Sequence, residues 1–346
     1  MTATRTDNNG TDLQALAMLN LFRRMGASDV ELIDYECYNL ESSKHLLKPL
    51  SLRKILYYPI NLCLHYKHTH FRKQFLVKSA TLYNKDTISL SKYDKIVVGS
   101  DQIWNLTITG GDLSFFLPFA GNGLQKYSYA ASIGRDDINA WEKEYHLSEK
   151  LRDFKAVSVR EESAIKTLSC LGINARYDLD PILMGSVDDW RPLLRFKRKK
   201  KYVLAYFLES CSPAWSDVKK YAVSNGLEVI NISPALRIYA GMKTLRCVGV
   251  EDWLGFVANA EMIFTSSYHC LSFAILFNKK ICLVPIDNSI QSNSRMIDLL
   301  YRVGMEKCIY NVPFDYRMTI NWDAVNEKLE KLRRISCLYI KSIIMN

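Results

Sequence analysis

The 346-residue sequence lacks both glycine-rich phosphate-binding signatures, G-x-G-x-x-G and G-x-x-x-x-G-K followed by Ser or Thr. Nucleotide binding through either device is therefore not supported. No apolar run reaches the roughly 18 to 20 residues that cross a bilayer, and residues 1–7 lack the apolar core of a secretory signal. With 48% apolar and 24% charged residues, we expect a globular protein that stays in the cytoplasm.

The nine cysteines are scattered singly and form no C-x-x-C pair. Several, including Cys170, Cys247 and Cys282, lie among apolar neighbours. An odd number without regular spacing predicts reduced, buried thiols. No metal site is expected either, because the cluster His65, His68 and His70 has lysine neighbours and no acidic or thiolate ligand nearby in the sequence.

Positive charge exceeds negative charge, with 46 Lys and Arg against 36 Asp and Glu. Six of the seven residues in the run 195–201 are basic. A solvated linker is the favoured interpretation of this run. Attraction to anionic lipid headgroups and nucleic-acid binding are the alternatives, the last without a supporting motif. Residues 52–64 resemble an amphipathic helix broken at Pro59, which also suits peripheral contact with a membrane.

Apolar strands alternate with helices along most of the chain, which predicts parallel sheets joined by right-handed crossovers. We expect an α/β fold with two Rossmann-like lobes and a cleft between them. The predicted division is residues 1–190, a basic linker at 191–201, and residues 202–346 with terminal helices. Residues 36–90 look irregular, and residues 1–8 offer no apolar strand to feed the helix that begins near Thr11.

Polar residues follow the predicted strand 95–98 in a loop that starts with glycine. Ser100, Asp101, Gln102 and Trp104 stand there almost side by side. Ligands of open α/β sheets bind at the carboxyl ends of strands. These four residues are therefore predicted to line the cleft, where a ligand binds.

A second polar group follows the predicted strand 262–265. Ser266 and Ser267 are natural helix N-caps, and His269 falls in the first helical turn. Free N–H groups and the helix dipole favour an anion there, and histidine exchanges protons near neutral pH. The competing interpretation of His269 is a structural histidine.

Three further residues carry charge at predicted strand or helix ends. Arg160 stands where a strand meets a helix and can grip a carboxylate or phosphate, although an ordinary ion pair is the alternative. Asp180 is held extended by Pro181, or serves only as a turn cap. Arg295 opens a helix and can reach a phosphate across the cleft, or is a surface arginine.

Taken together, these runs resemble the polysaccharide pyruvyl transferase family. The resemblance rests on GSDQIW from Gly99, on VSVRE ending at Glu161, on LDPIL around Asp180, and on the serine and histidine motif before Cys270. The matching runs occur in the family's order over about residues 10–310. Two departures stand out: Cys270 replaces a usual glycine, and Ser267 stands where one branch of the family has an arginine.

The resemblance implies a fold similar to the two-lobed glycosyltransferase type B and transfer of a pyruvyl group from phosphoenolpyruvate to a sugar. His269 would be the acid or base, and Asp180 would orient a partner. Arg160, Arg295, Ser266 and Ser267 would bind the donor. Ser100, Asp101 and Gln102 would bind the acceptor or line the cleft, and Trp104 would offer a ring on which a sugar stacks. No cofactor is implied beyond phosphoenolpyruvate as co-substrate.

The implied acceptor is a sugar on a lipid-linked intermediate of a bacterial surface polysaccharide, at the inner face of the cytoplasmic membrane. Two alternatives stay open. One is a glycosyltransferase that uses a nucleotide sugar, and the other is a non-catalytic partner in glycan assembly. The first alternative is distinguished by its donor, which would be a sugar nucleotide instead of phosphoenolpyruvate. Anion binding at Arg160 without turnover would support the second alternative.

Overall fold

The computed structural model describes residues 1–43, 52–119, 123–135, 137–195, 198–208, 214–234, 240–286, 290–312 and 314–345. Within these ranges every pair of neighbouring strands is parallel. The α/β fold with parallel sheets, predicted from the alternation of strands and helices, is therefore confirmed.

Eleven strands are found in the described ranges, and they form three sheets ordered β1-β2, β3-β4-β5-β6 and β11-β10-β7-β8-β9. The strands are β1 Leu32–Tyr35, β2 Lys78–Tyr83, β3 Lys95–Val98, β4 Gln125–Ser128, β5 Phe154–Val159, β6 Ala175–Tyr177, β7 Tyr202–Tyr206, β8 Glu228–Ile232, β9 Lys243–Leu245, β10 Met262–Thr265 and β11 Ile281–Leu283.

The helices cover both halves of the chain, and four short 3-10 turns interrupt the loops. The α-helices are α1 Asn9–Arg24, α2 Leu52–Phe75, α3 Leu106–Thr109, α4 Asn139–Tyr145, α5 Leu147–Arg152, α6 Glu162–Cys170, α7 Val187–Trp190, α8 Ala214–Ser224, α9 Val250–Asn259, α10 Tyr268–Leu276, α11 Ile290–Val303 and α12 Trp322–Met345. The 3-10 turns are Leu113–Phe116, Pro181–Met184, Arg191–Leu193 and Glu306–Cys308.

Helix α10 is the most deeply packed helix of the second half. All nine of its residues are buried, and the preceding strand β10 is buried along its whole length. A helix that is apolar on every face must lie inside the protein. Helix α1, from the first half, packs against both α9 and α10. This contact brings the N-terminal ends of α1 and α10 close together.

The C-terminal helix α12 returns to the first half of the chain. The Tyr339 hydroxyl donates to the carbonyl of Ser128 at 2.8 Å, and the Leu179 amide donates to Ser336 Oγ at 3.1 Å. One long helix therefore spans the region where one or two amphipathic helices were predicted. The division at residues 191–201 stays a prediction.

The basic run is largely paired with carboxylates where the structure describes it. Arg195 contacts Glu251 at 3.0 Å, Lys200 contacts Glu228 at 3.1 Å and Lys201 contacts Glu261 at 3.1 Å. Residues 196 and 197 lie outside the described residues. Ion pairs therefore hold the described part of the run against the second half, and its role as a linker stays a prediction.

The N-terminal segment is buried although it forms no assigned strand. The Met1 amine donates to the carbonyl of Val97 at 2.5 Å, and the Gly99 amide donates to the carbonyl of Met1 at 3.0 Å. These two bonds follow the pattern of a parallel ladder beside β3. The backbone at the carboxyl end of β3 is therefore paired with Met1. The lack of an apolar strand pattern in residues 1–8 had suggested the opposite.

The prediction of an irregular segment at residues 36–90 is wrong for most of its length. Strand β2 lies there, and helix α2 continues through Pro59 instead of breaking. A proline inside a helix costs about 3 kcal/mol. Buried contacts farther along the helix offset that cost: His68 contacts Asp12 at 2.7 Å, and Arg72 contacts Asp7 at 3.0 Å.

The prediction that the cysteines are buried and reduced is also wrong in part. Cys63 of α2 and Cys247 form a disulfide across 184 positions of sequence, a separation that gives no local spacing signal. Cys170 is exposed, whereas Cys282 is buried as expected. Among the described residues no helix is long and apolar enough to cross a membrane.

We expect the Cys63→Ser variant to unfold at lower denaturant concentration than the wild type without reductant. A disulfide that closes a long loop contributes about 2–5 kcal/mol, chiefly by restricting the unfolded chain. Denaturant unfolding with and without dithiothreitol measures the effect. Cys170→Ser, at an exposed free thiol, is the matched control. An equal response of wild type and Cys63→Ser to the reductant would contradict the disulfide.

Candidate functional site

A cavity of about 360 Å³ opens where the carboxyl ends of β3, β5 and β10 meet the start of α1. Four segments of the first half line it, together with Leu208 after β7, the beginning of α10 and one residue of α11. The lining residues are Ala3, Thr6, Asp7, Asn8, Thr11, Asn39, Leu40, Ser42, Asp101, Gln102, Ile103, Ile108, Arg160, Leu208, Ser267, Tyr268, His269 and Arg295.

Asp101 is held in place by the loop after β3 and by α1. Its backbone adopts φ +73°, one carboxylate oxygen accepts from the Gln102 amide at 2.8 Å, and the other accepts from the Thr11 hydroxyl at 2.8 Å. Burial would raise the pKa of Asp101, but His269, Arg160 and these hydrogen bonds lower it to about 2. The side chain is therefore a fixed negative charge at neutral pH.

Arg160 is almost fully buried at the end of β5. Its guanidinium donates to Asp180 at 2.7 Å, to the Ser100 hydroxyl at 3.3 Å and to Asp101 at 3.4 Å. Burial opposes its charge, yet the surrounding acidic groups raise the pKa of Arg160 above its usual value. Two carboxylates therefore balance this cation, and part of its hydrogen-bonding capacity remains, because Nε has no partner within the described chain.

Tyr268 separates Arg160 from a second arginine. The guanidinium of Arg160 lies 4.2 Å from the centre of the Tyr268 ring, and that of Arg295 lies 6.0 Å from it. Such distances are typical of cation–π contacts. Two positively charged groups are thus held on one buried aromatic ring.

Arg295 differs from Arg160 because no described carboxylate contacts it directly, although Glu161 and Asp101 act on its charge from a longer distance. It is buried, no described carboxylate lies within ion-pair distance, and its Nε and Nη1 atoms have no hydrogen-bond partner in the described part of the chain. Burial, together with the neighbouring Arg160, lowers the pKa of Arg295 to about 10. The group is still protonated at neutral pH, and a bound anion would supply the missing partner.

His269 occupies the first turn of α10, two residues after the N-cap Ser267. Its Nε2 atom is buried without a partner among the described residues. Burial lowers the pKa of His269 below its ordinary value, although Asp101 and Asp180 act in the opposite direction. The imidazole is therefore neutral at pH 7 in the unliganded protein and able to accept a proton.

Gly10 allows α1 to approach His269. A Cβ atom at position 10 would lie 2.4 Å from His269 Nδ1 and 2.5 Å from its Cβ, closer than non-bonded atoms permit. The cap of α1, Asn8, accepts from the Gly10 and Thr11 amides and also lines the cavity. The positive N-terminal ends of α1 and α10 thus both face this space, which favours an anionic ligand.

The predicted site residues do not all reach the cavity. Asp101, Gln102, Arg160, Ser267, His269 and Arg295 line it together. Ser100 and Asp180 lie behind Arg160 and hold it, so that Asp180 positions another residue instead of meeting a substrate. Ser266 accepts from the Leu208 amide at 3.0 Å and supports the loop after β7.

The prediction that Trp104 offers a ring for sugar stacking is wrong. The side chain is 1% exposed, and its indole N–H donates to the carbonyl of Phe115 at 3.0 Å. Phe116 stacks on the ring at 5.6 Å between centres, and Phe154 meets it edge to face. Sequence proximity to Asp101 placed Trp104 near the site, but the tight turn directs its side chain into the core.

Sequence reasoning missed the contribution of α1 and its cap. Thr11 holds Asp101, Asn8 caps the helix, and Gly10 makes room for His269. An asparagine directly before a helical apolar pattern is a recognisable helix start. The histidine cluster, considered and rejected as a metal site, instead holds α2 to the first half: His65 contacts Asp7 at 3.0 Å and His68 contacts Asp12.

Comparison with known protein families and structures adds an independent observation. No curated protein matches the chain. Among solved structures, a putative UDP-N-acetylglucosamine 2-epimerase from Listeria monocytogenes aligns over 99% of this chain and 89% of its own, with 9% identity and a TM-score of 0.48. MnaA of S. aureus, solved with UDP, aligns over 96% and 87%, with 12% identity and a TM-score of 0.48.

The ADP-heptose LPS heptosyltransferase II of E. coli is more distant, with 10% identity, a TM-score of 0.36 and coverage of 94% of this chain and 96% of its own. Likenesses at this level carry no argument about substrate. The family comparison is stronger, because the family described as polysaccharide pyruvyl transferase matches residues 8–288, which include Asp101, Arg160 and His269. The chain therefore belongs to the polysaccharide pyruvyl transferase family.

Proposed function

We propose that the protein transfers the pyruvyl group of phosphoenolpyruvate to two hydroxyls of one sugar, forming a cyclic ketal. The observation that carries this proposal is the unpaired cation Arg295 beside Arg160 in a cavity that also receives two helix N-termini. Phosphoenolpyruvate carries a carboxylate and a phosphate at neutral pH. Two arginines on one ring suit a donor with two anionic groups.

The overall reaction conserves protons between the two substrates. Carbon C3 of the donor gains one proton and becomes a methyl group, while C2 forms bonds to two sugar oxygens. The bond from C2 to the phosphate oxygen breaks, and the phosphate leaves with the second proton. The two protons come from the two sugar hydroxyls, so neither an oxidant nor a cofactor is needed.

His269 is the group proposed to handle the first proton. Its neutral imidazole accepts the proton of the attacking hydroxyl and returns it to C3. Charge then develops on the donor phosphate, where Arg295 and Arg160 stabilise it in a site shielded from water. Asp101 lies close enough to favour the protonated imidazole, as its influence on the pKa of His269 indicates.

The proposed acceptor is a sugar of a lipid-linked surface-polysaccharide intermediate, reached at the inner face of the cytoplasmic membrane. The polar rim of the cavity supports a sugar: Asp7, Asn8, Ser42 and Gln102 offer hydrogen-bonding atoms there. Phosphate release from phosphoenolpyruvate, followed across a panel of soluble galactosides, glucosides and mannosides, tests the proposal. Tight binding of a nucleotide sugar with no response to phosphoenolpyruvate would favour the glycosyltransferase alternative instead.

Replacing Arg295 with methionine should weaken binding of phosphoenolpyruvate but stabilise the unliganded protein. We expect phosphoenolpyruvate affinity to fall about 10- to 100-fold, because charge-assisted hydrogen bonds are lost. The unliganded protein should become more stable, because a buried, unpaired charge is removed. Calorimetric titration and thermal unfolding measure the two effects.

The matched control is Arg302→Met on the same helix α11, since Arg302 is paired with Glu162 and Asp298. That variant should lose stability and keep its affinity for phosphoenolpyruvate. An Arg295→Met protein that binds the donor as the wild type does would refute the assignment of Arg295.

Replacing His269 with glutamine should lower kcat about 10²- to 10⁴-fold while donor affinity changes little. In the wild type, kcat/KM should fall on acidification, because protonated His269 cannot accept the hydroxyl proton. The fall should occur below the usual histidine pKa of about 6.5, because burial lowers the pKa of His269. Initial rates of phosphate release against pH measure the profile; an activity that rises on acidification would contradict the base role.

Replacing Gly10 with alanine should displace the imidazole and leave the arginines in place. We expect kcat to fall about 100-fold with donor affinity nearly unchanged, because a shift of about 1 Å misaligns the proton acceptor. Gly26→Ala, beyond the other end of α1, is the control: its φ of +100° is strained by a side chain, but no atom lies within 4 Å. That control should lose stability and keep kcat, and equal kcat losses in both variants would contradict the proposed contact.

A further inference from the structure

Helix α2 exposes an apolar face that nothing in the described structure covers. Five large apolar or aromatic side chains on it are between 38% and 71% exposed: Ile55, Leu56, Tyr58, Leu62 and Tyr66. Ile55, Leu62 and Tyr66 follow one another at intervals of seven and four residues, so they share a single helical face. Soluble proteins seldom expose such a continuous apolar surface unless it contacts a partner.

The opposite face of α2 is anchored to the protein. His68, Phe71 and Arg72 are buried, and the Lys67 ammonium donates to the carbonyl of Cys247 at 2.9 Å. The disulfide from Cys63 to Cys247 fixes the same helix to the second half. The exposed face therefore belongs to a firmly held helix.

The charge of α2 indicates which kind of partner fits. Its 24 residues contain five basic residues and no acidic residue. Two of the five, Lys67 and Arg72, are held by contacts on the anchored face, and Arg53, Lys54 and Lys73 are the other three. Cationic helices with aliphatic and tyrosine side chains on one face lie in the interface of anionic bilayers. Tyrosine suits that depth, because its ring is apolar and its hydroxyl meets water. A second copy of the chain fits less well, because pairing would bring two cationic helices together.

We propose that α2 docks the protein on the surface of an anionic membrane through Ile55, Leu56, Tyr58, Leu62 and Tyr66. The helix lies flat in the interface and does not cross the bilayer. Its anchored face includes His65 and Arg72, which hold Asp7 at the rim of the candidate active-site cavity. The docking surface deepens the proposed function, because it brings the cavity to the membrane that carries the proposed lipid-linked acceptor.

Flotation of the full-length protein with vesicles tests the docking surface without any substrate. We expect the wild type to float with vesicles of phosphatidylcholine and phosphatidylglycerol, and to float less at high salt or with phosphatidylcholine alone. The triple variant Ile55→Ser, Leu62→Ser and Tyr66→Ser should bind the anionic vesicles at least about tenfold more weakly.

The matched control replaces three apolar residues elsewhere on the surface whose average exposure is higher than that of the three α2 residues. Val223, Val312 and Leu338 are 69% to 82% exposed, and their triple serine variant should float as the wild type does. Circular dichroism and the thermal unfolding midpoint establish that both triple variants are folded. Equal binding by the α2 variant and the wild type, or no wild-type binding to anionic vesicles, would overturn the proposal.

Two further measurements separate this proposal from its alternatives. Sedimentation of the wild type as a dimer that dissociates in the α2 variant would assign the face to self-association and overturn membrane docking. Phosphate release with a soluble acceptor should be unchanged in the α2 variant. Flotation without phosphoenolpyruvate turnover would therefore support the docking surface and refute only the proposed reaction. Turnover without flotation would support the reaction and refute the docking surface.

Discussion

The buried guanidinium of Arg160 is the interaction on which the candidate site depends. A charge at that depth is tolerated only when carboxylates and hydrogen-bond acceptors surround it. Asp180 and Ser100 supply them from two segments of the first half, and Tyr268 of the second half covers the guanidinium from one side. Satisfying one cation thus fixes the loop after β3, the end of β5 and the start of α10 relative to one another. The cavity is the space left beside this cluster.

The second arginine, Arg295, shows the opposite arrangement at a similar depth. It has no described carboxylate partner, and two of its nitrogen atoms remain without hydrogen bonds. Burial of an unpaired charge lowers the stability of the unliganded protein, and such a cost is typical of sites that bind a ligand of opposite charge. Arg160 makes the site rigid through its contacts, whereas Arg295 keeps hydrogen-bond donors that only a ligand would satisfy. The contrast between two arginines on one tyrosine ring is a stronger indication of an anionic ligand than either arginine alone.

Sequence patterns predicted those parts of the structure that depend on local order. Strands β3 and β10 were predicted at their observed bounds, because short apolar runs end in polar loops there. The cavity residues Asp101, Arg160 and His269 follow from one rule, that ligands meet the carboxyl ends of parallel strands.

The course of α2 through Pro59 and the pairing of Cys63 depend on contacts far apart in sequence, so local patterns did not predict them. The prediction for Trp104 was wrong for a different reason, because two residues with positive φ, Gly99 and Asp101, redirect the chain after β3.

Helix α2 links the chemistry of the cavity to the outside of the protein. His65 and Arg72 on its anchored face bind Asp7, which contributes to the wall of the cavity, and His68 binds Asp12 of α1. The same α1 presents Gly10 to His269. A force on the exposed face of α2 would therefore be transmitted through these three side-chain contacts to the residues that position the imidazole. Because satisfied polar networks rigidify the structure around them, the exposed face of the helix keeps a fixed position relative to the cavity. That constraint explains why a helix with so much exposed apolar surface is nevertheless tied to the core by a disulfide and by buried histidine–aspartate contacts.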